Sequence, residues 1–310
     1  MTDSSADGAG TVLVMNPESG SGRHSRAVRE RAEILDYDVF ETERPEHAIE
    51  LARTAVVEGA DAIVAVGGDG TLNEVVRGVY EAGGSADVTV GVVPTGTGNA
   101  FAGNVGITDI DDGFQAVMDG RRRRLDVGLA DGRPFVNSCL VGIKAEASDA
   151  TPDEMKSKYG VLAYVIETVK TAPEFTGIDL TASTGEGGHS ETVWEGEAIF
   201  VLVGNGNRFT RSGSQQANIE DGRLDVTIIE DVDSVSLVKD HLVERLFDHE
   251  SEHITRLLAE SLEMSIGGDD PVSFSLDGEI VYAASMELTT RPRSLRMAVG
   301  DGYDPDPGDD

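Results

Sequence analysis

The chain opens on an alternation between two hydrophobic periods. "TVLVMN" (11–16) is a short continuous apolar run, the pattern of a buried strand. "HSRAVRERAEIL" (24–35) reads as a helix and "YDVFET" (37–42) as a strand. "PEHAIELARTAVVEG" (45–59) repeats apolar residues at helical spacing and begins with Pro45 in a first-turn position. "DAIVAV" (61–66) is the next strand, "LNEVVRGVYEAG" (72–83) a helix ending at glycine, and "VTVGVVP" (88–94) a fourth strand. Strands joined by single helices predict a doubly wound parallel α/β domain over 11–125.

From residue 126 the pattern changes. "LDVGLADGRPFVNSCLVGI" (125–143) sets the Asp131-Gly132 turn between two strand-like runs, a hairpin. "AIFVLVGNG", "RLDVTIIED", "PVSFSLDGEIVYAA" and "MELTTRPRSLRMAV" read as further strands, with helical stretches near 157–171 and 234–263. The expectation is a β-rich, antiparallel, sandwich-like domain over 126–300, with no internal repeat. The ends, 1–10 and 301–310, are small, polar and acidic and read as disordered tails.

Charge changes the picture next. The 310 residues carry 25 basic and 57 acidic side chains, a net charge of −32. Only Lys144, Lys156, Lys158, Lys170 and Lys239 are lysines. This acidity argues against a nucleic-acid partner, which needs a basic footprint, and suits a salt-loaded, halophilic cytoplasm. At molar salt the Debye length falls to about 3 Å, so acidity does not exclude a substrate at a membrane surface. Cys139 is the single cysteine, which rules out an intramolecular disulfide. No signal peptide is visible and no apolar run nears the roughly 20 residues that span a bilayer. The expected location is cytoplasmic, with peripheral membrane contact. An exposed edge strand in the second domain offers a route to a homodimer.

Three strands of the first domain run into glycine-rich loops: "NPESGSGR" (16–23), "GGDGT" (67–71) and "PTGTGN" (94–99). In an open parallel sheet, ligands bind beyond the carboxyl ends of the strands, so three such loops would enclose one nucleotide site. Asp69 sits among those glycines, where a carboxylate should repel phosphate. Thr71-x-x-Glu74 fits a capping box, with the Thr71 hydroxyl capping the helix and Glu74 reaching back. No G-x-x-x-x-G-K-[ST] loop occurs, and no G-x-G-x-x-G follows the first strand, so the common NTPase and dehydrogenase readings fail.

"NPESGSG", "GGDGTLNEVV" and "VPTGTGNAFA", in this order and spacing, resemble the catalytic domain of diacylglycerol kinases, a family that includes sphingosine kinases and soluble bacterial lipid kinases. "LDVG" (125–128), "KYGVLAYVIETVK" (158–170), "VGNGNRF" (203–209), "IEDGRLDVTII" (219–229) and "SLDGEI" (275–280) extend the resemblance over residues 11–299. "GGDGT" is shared with NAD kinases; "EDGRLDV" and "LDGE" favour the lipid-kinase branch. The resemblance implies transfer of the γ-phosphate of ATP, with Mg²⁺, to a lipid hydroxyl at the cleft between the domains. The lipid would be a diacylglycerol or, in a salt-adapted cell, a glycerol diether.

It further implies that Asn16, Ser19, Gly67, Gly68, Gly70, Thr71, Gly96, Thr97 and Asn99 line the nucleotide site. Asp69 would join a magnesium–phosphate network, where the ion inverts the local charge logic, or take the hydroxyl proton directly. Glu279 and Asp277 of "LDGE" are the other candidate bases; at period two they would share one side of a strand if Gly278 does not bulge it. The alternative for "SLDGEIV" is an Asp-Gly hairpin turn. Asp221 and Asp225 would hold a second, structural Mg²⁺, against the alternative of a plain turn. Arg23 is placed to touch phosphate or to start a helix in solvent. The chain departs from the family where Asn-Asp-Phe-Ala-Arg is replaced by Asn99-Ala100-Phe101-Ala102-Gly103, and it lacks the usual proline within 211–222. "HESEH" (249–253) matches H-E-x-x-H, so zinc hydrolysis through His249, His253 and Glu250 stands against a solvated helix face. The remaining alternatives are an NAD kinase and a non-catalytic nucleotide- or lipid-binding module.

Overall fold

The computed structural model describes residues 10–20, 24–84, 87–142, 177–186, 189–210, 213–230, 253–268 and 270–308. The chain divides into two compact units. Unit 1 comprises Met1–Asp126 and Arg293–Pro305, and unit 2 Val127–Pro292 and Asp306–Asp310. The helix expected near 157–171 lies outside the described residues, as do all five lysines, Arg23 and residues 1–9.

Unit 1 runs β1 (Thr11–Met15), α1 (Ser25–Leu35), β2 (Asp38–Glu41), α2 (His47–Val57), β3 (Ala62–Gly67), α3 (Asp69–Glu81), β4 (Thr89–Pro94), α4 (Ala100–Asn104) and α5 (Ile110–Asp119), then enters β5 (Arg121–Ala130). Its strands lie in the order β4-β3-β1-β2, every pairing parallel. The end of β17 (Ser285–Val299) joins β4, also in parallel, with Met297 opposite Val90. Leu13, Met15, Val64, Val66 and Val93 from three strands pack with Val28 and Ala32 of α1 and Phe114 and Val117 of α5. Each such side chain removed from water contributes about 1.5–3 kcal/mol, so this layer is what holds the strand ends in place.

Pro45 is not in the first turn of α2. The N-cap is Glu46, at φ 62°, and Pro45 precedes it. The short helices α4 and α5 carry no expectation from the sequence; α5 is started by Asp109, whose side chain accepts from the Asp112 amide at 2.9 Å. The guanidinium of Arg122 ends it, donating to the carbonyls of Ala116 (2.8 Å) and Gly120 (2.7 Å). Residues 301–308, expected within a disordered tail, are placed: Tyr303 is buried, and Arg121 donates to the carbonyls of Gly300 and Tyr303.

Unit 2 continues through β6 (Arg133–Phe135), β7 (Ser138–Val141), β8 (Ile178–Glu186), β9 (His189–Gly204), β10 (Asn207–Thr210), β11 (Gly213–Gln216), β12 (Leu224–Glu230), β13 (Ile254–Ala259), β14 (Ser261–Ile266), β15 (Val272–Leu276) and β16 (Glu279–Ala283). Its pairings are antiparallel, in the order β16-β15-β7-β9-β8-β14, with β12 between β9 and β13. The core includes Phe135, Leu180, Val201, Val203, Val226, Leu262, Met264 and Phe274. Trp194, the only tryptophan, packs there and donates its indole N–H to Glu230 at 3.2 Å. The fold is thus a parallel α/β unit followed by a β-rich antiparallel unit.

The helix expected over 234–263 is corrected where it is described. Residues 254–259 and 261–266 are strands β13 and β14. Ile254, Leu257, Leu258 and Leu262 sit at helical spacing by coincidence; β13 is tied along its length to β12. His253 precedes β13 in a turn with its Nδ1 3.4 Å from Glu230, while His249 and Glu250 lie outside the described residues. No helix among the described residues is long and apolar enough to cross a membrane.

Candidate functional site

In unit 1 the parallel strands β1, β3 and β4 bring their carboxyl ends together, and the three glycine loops meet there. The Thr95 amide donates to the Gly67 carbonyl at 2.9 Å, and the Asn16 amide to that of Val66 at 2.9 Å. A Cβ on Gly96 would stand 2.4 Å from the Cα of Gly68, and one on Gly20 2.3 Å from the Thr95 carbonyl oxygen. Real Cβ contacts are never this short, so the loops close only because these residues are glycines. Asn99, at φ 51°, locks the third loop on itself: its Oδ1 accepts from the Gly96 amide (3.1 Å) and its Nδ2 donates to the Gly96 carbonyl (2.7 Å). Asn16 ties the first loop by accepting from the Glu18 amide at 3.0 Å, and the Ser19 amide donates to the Asn16 carbonyl at 3.2 Å.

Helix α3 begins at Asp69, three residues earlier than its periodicity predicts, so Asp69, Gly70 and Thr71 form its first turn. Gly68 is the N-cap and offers no side chain to the free amides. A Cβ on Gly70 would meet nothing of the protein within 4 Å. Packing therefore does not explain that glycine, and its side of the helix start is open to a ligand. Free amides, the positive end of a 13-residue helix and an open glycine make an anion cradle.

Asp69 does not face an empty site. Its Oδ2 accepts from the Ala100 amide and its Oδ1 from the Phe101 amide, both at 2.9 Å. The carboxylate thus anchors α4, in the segment where the chain departs from the family pattern. The expected capping box is absent. Thr71 is buried in the first turn, and Glu74 accepts from the amides of Glu46 (3.2 Å) and Ala48 (3.1 Å), capping α2 instead of its own helix. Thr97 is exposed at the loop tip.

Beside the cradle is a cleft of about 430 Å³ lined in part by Asn16, Glu18, Thr42, Glu43, Arg44 and Thr71. The loop after β2 supplies Thr42, Glu43 and Arg44, which motif reasoning missed because that loop has no glycine signature. It is held by Glu43, whose amide donates to Nδ1 of His47 at 3.1 Å, and by Arg44, which donates to Glu50 at 2.6 Å. That bond raises the Arg44 pKa and lowers the Glu50 pKa.

In unit 2 the late landmarks gather at one end of the sheet. Asp225 is opposite Gly204, Gly204 opposite Ser138, and Cys139 opposite Leu276, which pairs with Glu279. Asp277 and Glu279 do not share a strand face, however. Asp277 (φ 48°) and Gly278 (φ 94°) are the two central residues of the β15–β16 turn, so only Glu279 is in a strand. The Asp277 carboxylate accepts from three successive amides, Val136 (2.7 Å), Asn137 (2.9 Å) and Ser138 (2.8 Å). Glu279 is ion-paired with Arg133 of β6 and keeps 41% of its side chain exposed.

Asp221 closes a local turn: its Oδ1 accepts from the Arg223 amide at 2.9 Å and its Oδ2 is 3.3 Å from the Arg223 guanidinium. Among the described residues no three of His, Cys, Asp and Glu gather to hold a metal ion. Mg²⁺ commonly takes one or two carboxylates and completes its shell with phosphate oxygens and water, and Asp69 at the cradle fits that donor set. Asp126, read only as part of a landmark, is buried at 2% exposure and accepts from the Arg293 amide at 2.6 Å.

A phosphate-type cradle on a parallel sheet, continued by an antiparallel β unit carrying candidate proton acceptors, defines a two-unit phosphotransferase. Residues 10–130 match the diacylglycerol kinase catalytic domain, and residues 137–299 match the YegS C-terminal NAD kinase beta sandwich-like domain. A diacylglycerol kinase of Staphylococcus saprophyticus is 30% identical over 230 residues, 70% of this chain and 72% of the relative. One from Staphylococcus epidermidis is 27% identical over 277 residues, covering 86% and 84%. A crystal structure from Bacillus anthracis superposes with a TM-score of 0.77 at 22% identity, over 98% of this chain and 99% of that one. A second, of a diacylglycerol kinase from the same organism, gives 0.69 at 20% identity, over 95% and 98%. The chain belongs to the diacylglycerol kinase family and is a lipid kinase.

Proposed function

We propose that this enzyme transfers the γ-phosphoryl group of ATP to the hydroxyl of a diglyceride-like lipid, a diacylglycerol or a glycerol diether. Unit 1 holds the donor and unit 2 handles the acceptor. The observation that carries the donor half is Gly70, whose side of the α3 start is open while Gly68 and Gly96 close the loops around it. Phosphates lie against those amides, and the nucleoside extends into the cleft lined by Thr42, Glu43 and Arg44. A bound Mg²⁺, held by Asp69, would neutralise charge on the donor phosphates.

A lipid alcohol must lose its proton as it attacks phosphorus. Glu279 takes this role better than Asp277 or Asp69. Asp277 accepts three amides and Asp69 two, while Glu279, ion-paired with Arg133, keeps 41% of its side chain exposed at a strand start. The acidic surface leaves the enzyme a peripheral visitor to the membrane, in high salt where repulsion is screened.

The test is transfer from γ-labelled ATP in molar KCl with Mg²⁺, offering diacylglycerol or diether vesicles in one arm and NAD in another. Labelled lipid phosphate that disappears with EDTA, and falls by about 10²–10⁴-fold in Glu279→Gln, is the expected result. Labelled NADP without labelled lipid would replace this reading with an NAD kinase. ATP binding with no product in either arm would replace it with a binding module.

A further inference from the structure

The two carboxylates of "LDGE" grip one and the same segment of unit 2, at its two ends. Asp277 binds the amides of Val136, Asn137 and Ser138, and its own amide donates to the Ser138 carbonyl at 2.9 Å. Glu279 pairs with Arg133, three residues before the first of those amides. Between them β6 runs directly into the 136–138 turn. The turn is held from its far side as well: Asn205 donates from Nδ2 to the Val136 carbonyl (3.0 Å) and from its amide to the Asn137 carbonyl (2.9 Å), and Asn207 Nδ2 donates to Asn137 Oδ1 (3.0 Å). The 133–138 segment is thus the fixed frame and the Asp277-Gly278 turn hangs on it.

We propose that Arg133 is a positioning residue for proton transfer. It holds the Glu279 side chain in one rotamer and keeps the carboxylate ionised, while Asp277 fixes the backbone from which that side chain projects. This rests on Glu279 being the base. The chemistry requires such an arrangement. A glutamate at an exposed strand start has three rotatable bonds, and a base must stay within hydrogen-bond reach of the proton it takes. A neighbouring guanidinium favours the charged form, the only form that accepts a proton. The contact runs from Arg133 Nη2 to Glu279 Oε2. Among the described residues, Asp277 in the same turn and Asp131 in the β5–β6 turn both act electrostatically on buried Cys139. Arg133 brings a cation to Glu279 in the same region of unit 2.

The experiment uses the full chain in two readouts. The first is the ¹³C titration of Glu279, assigned by its absence in Glu279→Gln. Arg133→Met should move the midpoint to higher pH, and Arg133→Lys should leave it close to wild type. The second is the pH profile of kcat on vesicles of diacylglycerol in phosphatidylcholine. Arg133→Met should lower kcat at least tenfold at neutral pH, shift the acidic limb to higher pH and leave the ATP KM unchanged; Arg133→Lys should restore the limb but only part of kcat. An unmoved Glu279 midpoint in Arg133→Met, with native circular dichroism, would overturn the proposal. Should Arg133→Met fail to fold, Arg133→Gln gives the same two readouts. Full activity in Glu279→Gln would remove the base assignment itself, and the titration would still decide whether Arg133 holds that carboxylate.

Discussion

Gly68 and Gly96 meet backbone to backbone, so closely that a single added methyl on Gly96 would lie 2.4 Å from the Cα of Gly68. The two come from loops 28 residues apart, and their contact seals the cradle. Gly96→Ala should therefore cost about 1–3 kcal/mol by overpacking and abolish ATP binding. Gly70→Ala should do the opposite in stability, unchanged or slightly better, because its Cβ meets nothing within 4 Å and alanine favours a helix. Yet it should weaken ATP at least tenfold. Chemical denaturation and calorimetric titration of both variants check this. Normal ATP affinity in Gly70→Ala would remove the cradle as the phosphate site.

Asp69→Asn should loosen α4. An amide side chain can accept from one of the Ala100 and Phe101 amides but presents N–H to the other. The expected loss is about 1–3 kcal/mol of stability, the range for orphaning a polar group paired to a charge. Amide exchange at 100–101 should rise with it. An unchanged exchange rate would mean that these bonds do not hold the helix.

Glu74→Ala should destabilise α2, not α3, by about 1 kcal/mol, the usual value of a lost N-terminal cap. Exchange at Glu46 and Ala48 reads out α2 and exchange at Leu72 α3. Protection lost only at Leu72 would restore the local capping box.

These three sites show what the sequence carries and where it stops. Buried runs such as Ile63–Val66 are strands whatever surrounds them, and glycine loops after such runs point to a ligand edge. The helices α2 and α3 were legible from their apolar spacing. Glu74 was misleading because its partners, 26 and 28 residues away, belong to another helix, and local spacing cannot name a distant amide. Asp277 and Glu279 were read on one face because period two holds only within a strand, and Asp277 is in the turn. The start of α5 was visible in principle: Asp109 before Asp111 and Asp112 is a cap with an acidic first turn, hidden by Gly113 in the middle of the pattern.

Acid should weaken unit 1 only below the ordinary carboxyl range. The Thr108 hydroxyl, with its amide, holds the Asp112 carboxyl below its ordinary value of 3.8, and the Arg29 bond does the same for Glu41. A carboxyl depressed in the fold contributes stability above its unfolded pKa and loses it as pH falls through the folded one. Thr108→Val should lower the melting temperature at pH 6, and the deficit should shrink as pH falls below the ordinary 3.8 toward the lower folded value. A deficit that does not shrink with falling pH would mean that the hydroxyl acts through packing alone.

Cys139 should be silent toward thiol reagents in the native state. Burial, aided by Asp277 and Asp131, pushes its pKa well above the ordinary 9.0, so the reactive thiolate is suppressed. The sign for stability is the reverse of the carboxyl case. The fold keeps its neutral thiol, and stability declines as pH rises past 9.0, where the unfolded thiol ionises. Labelling by a disulfide reagent should track global unfolding in denaturant; rapid labelling without denaturant would show that this corner of unit 2 opens by itself.

The placement of Trp194 gives the two units different optical signatures. The indole is packed in the unit 2 core, with its N–H on Glu230, and unit 1 contains no tryptophan. Emission excited at the red edge of the ultraviolet band therefore comes from one unit alone, while the amides of α1, α2, α3 and α5 report on the other by hydrogen exchange. Two probes on one sample thus separate the melting of unit 2 from that of unit 1.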